Sequence, residues 1–338
     1  MIMNLYRYYL LLVLFCCTAV HFVAQERYEF SRPLMGMTFR IVIYSEDASV
    51  AKKASEIAFD RVAVINAIMS DYDPSSELSK LSDLAGSGTA ARISNDLFQV
   101  LQSGQILAGK SNGAFDVTAG AVTRLWRRAR SLKRVPPEDV INNAKNSSGF
   151  RHLKLNKSQK TAELFKSGLR LDLGGIAKGY ALDEALKVLR NNGLPRALVS
   201  AGGDIVAGEP PVGKQGWKIA LLGLSDSKTE YIWLKDCAVA TSGDLFQFLE
   251  LEGKRYSHII DPRTGMAISE QRLVHVLAPN AMLADSLATT ISVIGQKKGL
   301  LLVAGDTRLG GRVAFRNKFG QVEEVSNQVF QTWPRVAE

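Results

Sequence analysis

Short apolar segments joined by turns fill most of the chain after residue 150, and they limit the possible folds more than any other feature. "HLKLN", "GLRLDLG" and "WKIALLGL" each have the length of one strand. "RALVSAGGDIVAG" and "TEYIWLKDCAVATSG" combine strands with turns. No Pro- or Ser-rich linker divides the chain. We therefore predict an α+β protein with mostly antiparallel sheets, built as two interlocked α/β lobes.

Four segments have the apolar spacing of amphipathic or buried helices. "SVAKKASEIAFDRVAVINAIMSDYD" and "AKGYALDEALKVLRNNG" place apolar residues three and four apart. "SNDLFQVLQSGQILAGKSNG" begins with Ser94 as a helix cap and ends at Asn112-Gly113. "NAMLADSLATTISVIGQ" predicts a buried helix. "PPEDVINNAKNSSG" is interpreted as a surface excursion between these elements.

An apolar run from Tyr8 to Val20 follows a single arginine and precedes small residues. This pattern is typical of a secretory signal peptide, with cleavage after Ala19 or Ala24. Two alternatives stay open. The run is near the lower length limit for an uncleaved membrane anchor, and the Cys16-Cys17 pair suggests a lipoprotein cysteine.

Cysteine use agrees with export. Two of the three cysteines lie in the leader, so Cys237 stands alone in the rest of the chain. An internal disulfide and a thiolate zinc site are thereby excluded. We expect a leader in residues 1–24 and one domain in residues 25–338, located in the bacterial periplasm or at the outer face of the inner membrane.

The chain carries 42 Lys+Arg against 33 Asp+Glu, a net charge of +9. The densest group of cations is Arg124, Arg127, Arg128, Arg130, Lys133 and Arg134. Two interpretations stay open, a solvated helix face or attraction toward an anionic ligand or membrane surface. No zinc spacing, homeodomain or aromatic-glycine RNA signature is present, so we expect no nucleic-acid partner.

The stretch "DLGGIAKGYA", residues 172–181, predicts a turn from a strand into a helix. Its glycines let the backbone approach a ligand closely, and a helix N-terminus offers free N–H groups to a phosphate. Lys178 adds a positive charge. The pattern matches neither of the common phosphate-binding glycine motifs. A purely structural strand-to-helix turn is therefore an equal alternative at this point.

In "AMLADSLATT", Asp285 and Thr289 are four residues apart and share one helix face. Apolar neighbours surround them, and a buried carboxylate needs a partner. A hard cation such as Mg²⁺ would accept both oxygens. An aspartate held only by hydrogen bonds is the alternative.

Two turns complete the candidate residues. His258 in "YSHIIDPRTG" stands where a strand becomes a turn, a common place for functional side chains. "NGAFDVT" leads through a turn into Asp116. Either feature alone is more often structural.

Taken in order, these motifs resemble the ApbE family of FAD:protein FMN transferases. The resemblance runs through "PLMGMTF", "SDYDPSSELSKL", "NGAFDVTAG", "DLGGIAKGYALD", "SAGGDI", "ATSGD", "SHIIDPRTG" and "LADSLATT". It implies an ApbE-like fold and a magnesium-dependent enzyme that splits FAD. FMN would be joined to a threonine or serine hydroxyl of an acceptor protein, a subunit of a membrane redox complex, and AMP would be released.

The resemblance also assigns roles. It implies that FAD, the substrate, is contacted by Met35, Tyr72, Ala114, Phe115, Asp116, Asp172 and Lys178. It implies that Mg²⁺ is bound by the carbonyl of Gly175 and by Asp285 and Thr289. His258 and Asp285 are expected to be catalytic, with His258 the preferred general base and Asp285 primarily on the metal.

Three positions depart from the family pattern. Gly175 stands where alanine or another small residue is usual, which is harmless if only its carbonyl binds. Met37 stands where threonine is usual, which would alter the flavin entrance, and Val117 stands where proline is common. Two other functions are compatible with the same site. One is an FAD pyrophosphatase that gives FMN and AMP, and the other is a flavin-binding protein without catalysis. The Asp285–Thr289 pair argues against the second, because binding alone does not require that ion.

Overall fold

A computed structural model describes residues 25–224, 229–243, 248–251, 253–317 and 319–336. The leader predicted in residues 1–24 lies outside the described residues, so its interpretation stays a prediction. Within the described residues no helix is both long enough and apolar enough to cross a bilayer.

Strands contribute most of the regular structure in the second half of the chain. Their bounds are β1 Glu26–Leu34, β2 Met37–Ser45, β3 Ala91–Arg92, β4 Leu153–Asn156, β5 Thr161–Leu164, β6 Ala197–Ala201, β7 Asp204–Ala207, β8 Trp217–Leu221, β9 Glu230–Leu234, β10 Cys237–Gly243, β11 Phe248–Leu251, β12 Lys254–Ser257, β13 Ile260–Asp261, β14 Met266–Ala267, β15 Arg272–Ala278, β16 Gly310–Arg316 and β17 Val322–Ser326.

The helices occur mainly in the first half and around residue 290. Their bounds are α1 Ala48–Met69, α2 Glu77–Asp83, α3 Asn95–Lys110, α4 Gly120–Leu132, α5 Glu138–Asn146, α6 Ala177–Asn191, α7 Ala281–Ile294, α8 Gln296–Leu301 and α9 Gln328–Gln331. A short 3₁₀ turn spans Phe150–His152.

Eight strands form one sheet in the order β1-β2-β6-β7-β10-β15-β16-β17, with every neighbouring pair antiparallel. Smaller antiparallel sheets are β3-β5-β4 and the ribbons β8-β9, β11-β12 and β13-β14. The predicted α+β class with mostly antiparallel strands is confirmed. Closely spaced strands joined by short turns can pair only in this way.

The inner strands of the large sheet are buried on both faces, and alternate residues of β2 point to different cores. On β2, Phe39, Ile41 and Ile43 join the larger core with helices α1, α6 and α7. The intervening Val42 joins a second core with the β8-β9 ribbon. Because the side-chain period of a strand is two, one strand serves both cores. The helices on the first face are the elements that carry the candidate site.

Two sequence expectations about local structure are wrong. "GLRLDLG" is not a strand, since only a single bridge joins Arg170 to Ala119. Its backbone groups are satisfied elsewhere, because Leu171 N–H donates to the hydroxyl of Ser82 and Asp172 N–H donates to the carbonyl of Val117. "PPEDVINNAKNSSG" contains helix α5, which buries Ile141 against α4.

Candidate active site

Helix α7 brings Asp285 and Thr289 to one face. The Asn280 side chain caps its first turn by accepting a hydrogen bond from Leu283 N–H at 2.9 Å. Asp285 is buried and Thr289 is half-buried. A Cβ added to Gly175 would lie 3.1 Å from the Thr289 Oγ1 atom. The glycine turn of "DLGGIAKGYA" therefore faces the Asp285–Thr289 pair predicted from the sequence.

A close approach of two helices brings these groups together. A Cβ at Gly179 on α6 would overlap the carbonyl of Ala281 at the start of α7. Only glycine permits this approach. The Gly179 N–H donates to the Asp285 carboxylate at 3.1 Å. The first turn of α6 thus holds Asp285 directly.

A second carboxylate fixes the start of α7 from α6. Asp183 accepts hydrogen bonds from the N–H groups of Ala281 at 2.7 Å and Met282 at 2.9 Å. Burial raises the pKa of Asp183 to about 6, although these two hydrogen bonds act in the opposite direction. Asp183 lies outside the candidate site but determines where α7 begins.

Lys178 lies between two carboxylates. Its ammonium forms an ion pair with Asp204 and lies 3.2 Å from Asp285. Asp204 is buried and also accepts a hydrogen bond from Thr241 N–H at 3.1 Å. The sequence predicted Lys178 as a charge directed at a phosphate, whereas the structure shows it bridging two acids. One ammonium cannot neutralise both carboxylates, so this group keeps a negative charge.

The donor set at this point fits Mg²⁺. An excess negative charge lies beside the Thr289 hydroxyl and the Gly175 backbone, and Mg²⁺ prefers such oxygen ligands together with water and phosphate. Across the described part of the chain, no three His, Cys, Asp or Glu side chains form a metal-binding group. A metal held here would depend on the hydroxyl and carbonyl oxygens as well as Asp285.

The "AFD" turn lies against the same face of α7. The Phe115 ring would be 3.3 Å from a Cβ on Gly175. Ala114 packs in a small apolar cluster with Ile259 and Val293. Val293 follows Asp285 and Thr289 by one further i+4 step on α7, so these three residues line one helix face. Ile259 follows the half-buried His258, so the backbone next to His258 lies against this cluster.

Asp116 organises the next part of the turn. Its carboxylate accepts hydrogen bonds from both the N–H and the hydroxyl of Thr118, and from Phe150 N–H. Burial raises the pKa of Asp116, and these hydrogen bonds oppose the rise. A cleft of about 180 Å³ opens beside it, lined also by Pro262 and Arg263. Asp285 and Thr289 do not line this cleft.

Asp172 is held by helix α4. Its carboxylate accepts hydrogen bonds from the Thr123 hydroxyl at 2.5 Å and from Arg127 at 2.6 Å. The same arginine forms an ion pair with Asp71. Burial, and next the nearby Asp172 charge, raise the pKa of Asp71, and Arg127 limits the rise. Tyr72 is 76% exposed, and the Arg127 guanidinium lies 4.5 Å from its ring centroid.

Met35 occupies the turn between β1 and β2 with a positive φ of 51°. Two residues later, the Met37 sulfur approaches the position that a Cβ on Gly202 would occupy, and the Lys178 side chain borders the same position. The departure at Met37 therefore lies near Lys178. Val117, another of these departures, is buried against Gly104 of α3.

Sequence reasoning missed three residues that organise the site. Arg127 was noted only as one member of a basic cluster, and Asp183 only as part of a helix pattern. Asp204 lay inside the quoted "SAGGDI" without a role. An acidic residue directly after a glycine pair at a strand start was the available signal for Asp204. The partners of Arg127 and Asp183 lie 45 or more residues away, so no local pattern marks them.

Known proteins resemble this chain in sequence over most of its length. The model of the ApbE family matches residues 35–311. The FAD:protein FMN transferase of Treponema pallidum (strain Nichols) is 32% identical over 295 residues, which covers 81% of each chain. A protein of the same name from Vibrio cholerae serotype O1 is 32% identical over 284 residues, covering 81% of this chain and 84% of that one.

Solved structures show the same fold. The flavin transferase ApbE from Vibrio cholerae superposes with a TM-score of 0.82 at 28% identity, covering 91% of this chain and 99% of that one. The ApbE protein from Thermotoga maritima gives a TM-score of 0.81 at 28% identity, covering 92% and 100%. The resemblance inferred from the ordered motifs is confirmed, and this chain belongs to the ApbE family.

Proposed function

We propose that this ApbE-family enzyme transfers FMN from FAD to a threonine or serine hydroxyl of an acceptor protein and releases AMP. The observation that carries the proposal is the meeting of Asp285 and Thr289 with the Gly175 turn and Lys178. The names of the relatives support flavin transfer as the reaction. Magnesium, the hydroxyl acceptor and the subunit of a membrane redox complex come from the sequence resemblance.

The reaction breaks the P–O–P bridge of FAD and forms one new bond from the acceptor oxygen to the FMN phosphorus. The hydroxyl proton leaves through a base, and AMP departs with the electrons of the broken bond. The diphosphate carries about two negative charges, which repel an incoming alkoxide. Catalysis therefore requires positive charge at the diphosphate and a proton acceptor near the hydroxyl.

Residues of this chain would meet both requirements. The Asp285 carboxylate, the Thr289 hydroxyl and the Gly175 carbonyl would hold Mg²⁺, which when bound neutralises charge developing on phosphate oxygens. Lys178 adds a positive charge beside Asp285. His258 is the preferred proton acceptor, and such help is typically worth about 10²–10⁴-fold. Tyr72 and the "AFD" turn would hold the nucleotide.

The direct test mixes the full chain with FAD, MgCl₂ and a threonine-bearing acceptor. AMP is followed by chromatography and the acceptor by intact mass. We expect AMP and an FMN adduct in equal amounts, and both disappear with EDTA. Asp285→Asn should lower AMP release by about 10²-fold or more, corresponding to several kcal/mol of lost charge stabilisation. Asp139→Asn, an exposed carboxylate on α5, is the matched control.

The outcomes separate the alternatives. AMP without an adduct on any acceptor would indicate an FAD pyrophosphatase. Bound FAD without AMP would indicate a flavin-binding protein. If AMP is still released in the presence of EDTA and by Asp285→Asn, the reaction does not require a metal held by Asp285.

We also propose that the protein is exported. The support is the apolar leader in residues 1–24 and the single cysteine that follows it. Cell fractionation with an antibody to the mature chain tests this, and recovery of the full-length chain in the cytosol alone would contradict it.

A further inference from the structure

Helix α4 carries a tryptophan directly before Arg127. Trp126 is completely buried, and its indole N–H donates to the carbonyl of Gly265 at 2.8 Å. Its ring also stacks on the ring of Tyr256, with 5.4 Å between the ring centroids. A buried indole N–H needs an acceptor, and this one takes a backbone carbonyl 139 residues away in the chain. Trp126 is therefore attached by two separate contacts to the segment that contains His258.

These contacts lie on both sides of His258 in the chain. His258 occupies the break between β12 and β13. Tyr256 is two residues before it, and Ile260, two residues after it, belongs to the same small core as Trp126. Gly265 directly precedes β14. The indole thus holds the chain both before and after His258.

Residues 257–268, which we call the histidine hairpin, are held together by their own backbone. β13 pairs with β14, and Ser257 N–H donates to the Ile268 carbonyl at 2.8 Å. At the tip, Gly265 N–H donates to the Asp261 carbonyl at 2.8 Å. A segment closed by such bonds opens and moves as one cooperative unit. A contact at the tip of the histidine hairpin therefore influences the position of the whole segment.

The same helix also holds the glycine turn of the candidate site. Thr123 and Arg127 both donate to the Asp172 carboxylate, at 2.5 and 2.6 Å. That carboxylate also accepts a hydrogen bond from Gly174 N–H at 2.7 Å, which ties it to the turn. Trp126 precedes Arg127 and projects about 100° away from it around the helix axis. Helix α4 therefore connects the histidine hairpin on one side with the glycine turn on another.

We propose that Trp126 is a positioning residue for FMN transfer, because it fixes the histidine hairpin, and with it His258, relative to the glycine turn. This inference rests on the proposed function, in which His258 accepts the proton of the acceptor hydroxyl. Trp126 has no exposed surface, so it acts only through the residues packed around it. A misplacement of about 1 Å in a reacting group can cost about 10²-fold in rate, so a contact that fixes the base affects catalysis.

The test uses the full chain with FAD, MgCl₂ and the threonine-bearing acceptor. Trp126→Phe keeps an aromatic ring beside Tyr256 but removes the indole donor. We expect the kcat for adduct formation to fall about tenfold or more, while the KM for FAD stays within about twofold. Trp217→Phe is the matched control. Trp217 is also buried, donates to the Glu209 carbonyl at 3.0 Å and packs on Tyr44, but in the second core, and its change should leave kcat unaltered.

Two further measurements separate positioning from a general loss of packing. In a His258→Ala background, Trp126→Phe should change the remaining kcat by less than about twofold, because the group that it positions is gone. A general loss of packing would lower kcat equally with and without His258. Hydrogen exchange of the histidine hairpin, followed by mass spectrometry, needs no turnover. It should be at least severalfold faster in Trp126→Phe and unchanged in Trp217→Phe.

If Trp126→Phe does not fold, Tyr256→Leu removes the ring stacking, keeps the indole hydrogen bond and should show the same loss of kcat and the same dependence on His258. Three results would overturn the positioning role and leave the proposed function standing. They are an unchanged kcat, equal losses of kcat with and without His258, and full activity of His258→Ala. A wild type that releases AMP without any adduct would instead refute transfer, and the same comparison read on AMP would still decide the role of Trp126.

Discussion

Asp183 offers the sharpest test of how α7 is held, because its carboxylate is buried at the junction that positions Asp285 and Thr289. Its pKa is about 6 in the folded protein, against 3.8 for an unperturbed aspartate. At about 1.4 kcal/mol per pH unit, the difference amounts to roughly 3 kcal/mol. Two charge-assisted hydrogen bonds from α7 compensate in part for burial of the charged form.

The direction of the pH effect on stability follows from the number of protons that Asp183 binds in the folded and unfolded states. As pH rises from 3.8 to about 6, the unfolded chain releases the Asp183 proton before the folded chain does. The folded state then holds more protons, so the free energy of unfolding falls with rising pH across this window. In Asp183→Asn the position stays neutral, and its carbonyl still accepts one N–H. The stability of the wild type relative to Asp183→Asn should therefore fall by roughly 2–3 kcal/mol from pH 4 to pH 7.

Urea unfolding followed by tryptophan fluorescence measures this difference at pH 4, 5, 6 and 7, since the chain has four tryptophans. Asp139→Asn removes an exposed carboxylate and should run parallel to the wild type. A constant difference between wild type and Asp183→Asn over the whole range would refute the reasoning. It would mean that Asp183 is ionised in the folded protein with little cost.

Two further changes probe the site. Gly175→Val places a branched side chain about 3.1 Å from Thr289, so AMP release should fall at least tenfold, with Gly175→Ala as the milder comparison; unchanged release would show that the turn yields freely. Arg127→Met leaves two largely buried carboxylates without their cation and should cost about 3 kcal/mol of unfolding free energy in urea. Adding Asp71→Asn to Arg127→Met should restore part of the lost unfolding free energy. If the double variant instead loses the sum of the two single losses, this account is contradicted.

Local signals were sufficient for the elements that carry the site. Ser94 caps α3 through Leu97 N–H and Asn280 caps α7 through Leu283 N–H, both by hydrogen bonds within four residues. The i, i+4 spacing of Asp285 and Thr289 needed only the helix itself. Where structure depends on distant partners, the sequence interpretation was wrong. In "GLRLDLG", backbone N–H groups donate hydrogen bonds to the Ser82 hydroxyl and the Val117 carbonyl instead of to a neighbouring strand.

The ion pairs of Lys178 illustrate the same limit at the level of chemistry. Its sequence neighbourhood of glycines predicts a cation facing phosphate, and nothing within ten residues indicates the buried acid that pairs with it. Asp204 comes from β7 and Asp285 from α7, and only the packing of α6 between them brings all three charges together. Sequence order can name each member of the group, but its net charge is set by tertiary packing.

That excess of negative charge occurs twice around the segment 172–178. Around Lys178 the carboxylates outnumber the ammonium, which favours a divalent cation. On α4, Arg127 pairs with both Asp71 and Asp172, so a second group holds two carboxylates against one cation. Two groups, each of two carboxylates and one cation, thus meet this segment, one at Asp172 and one at Lys178.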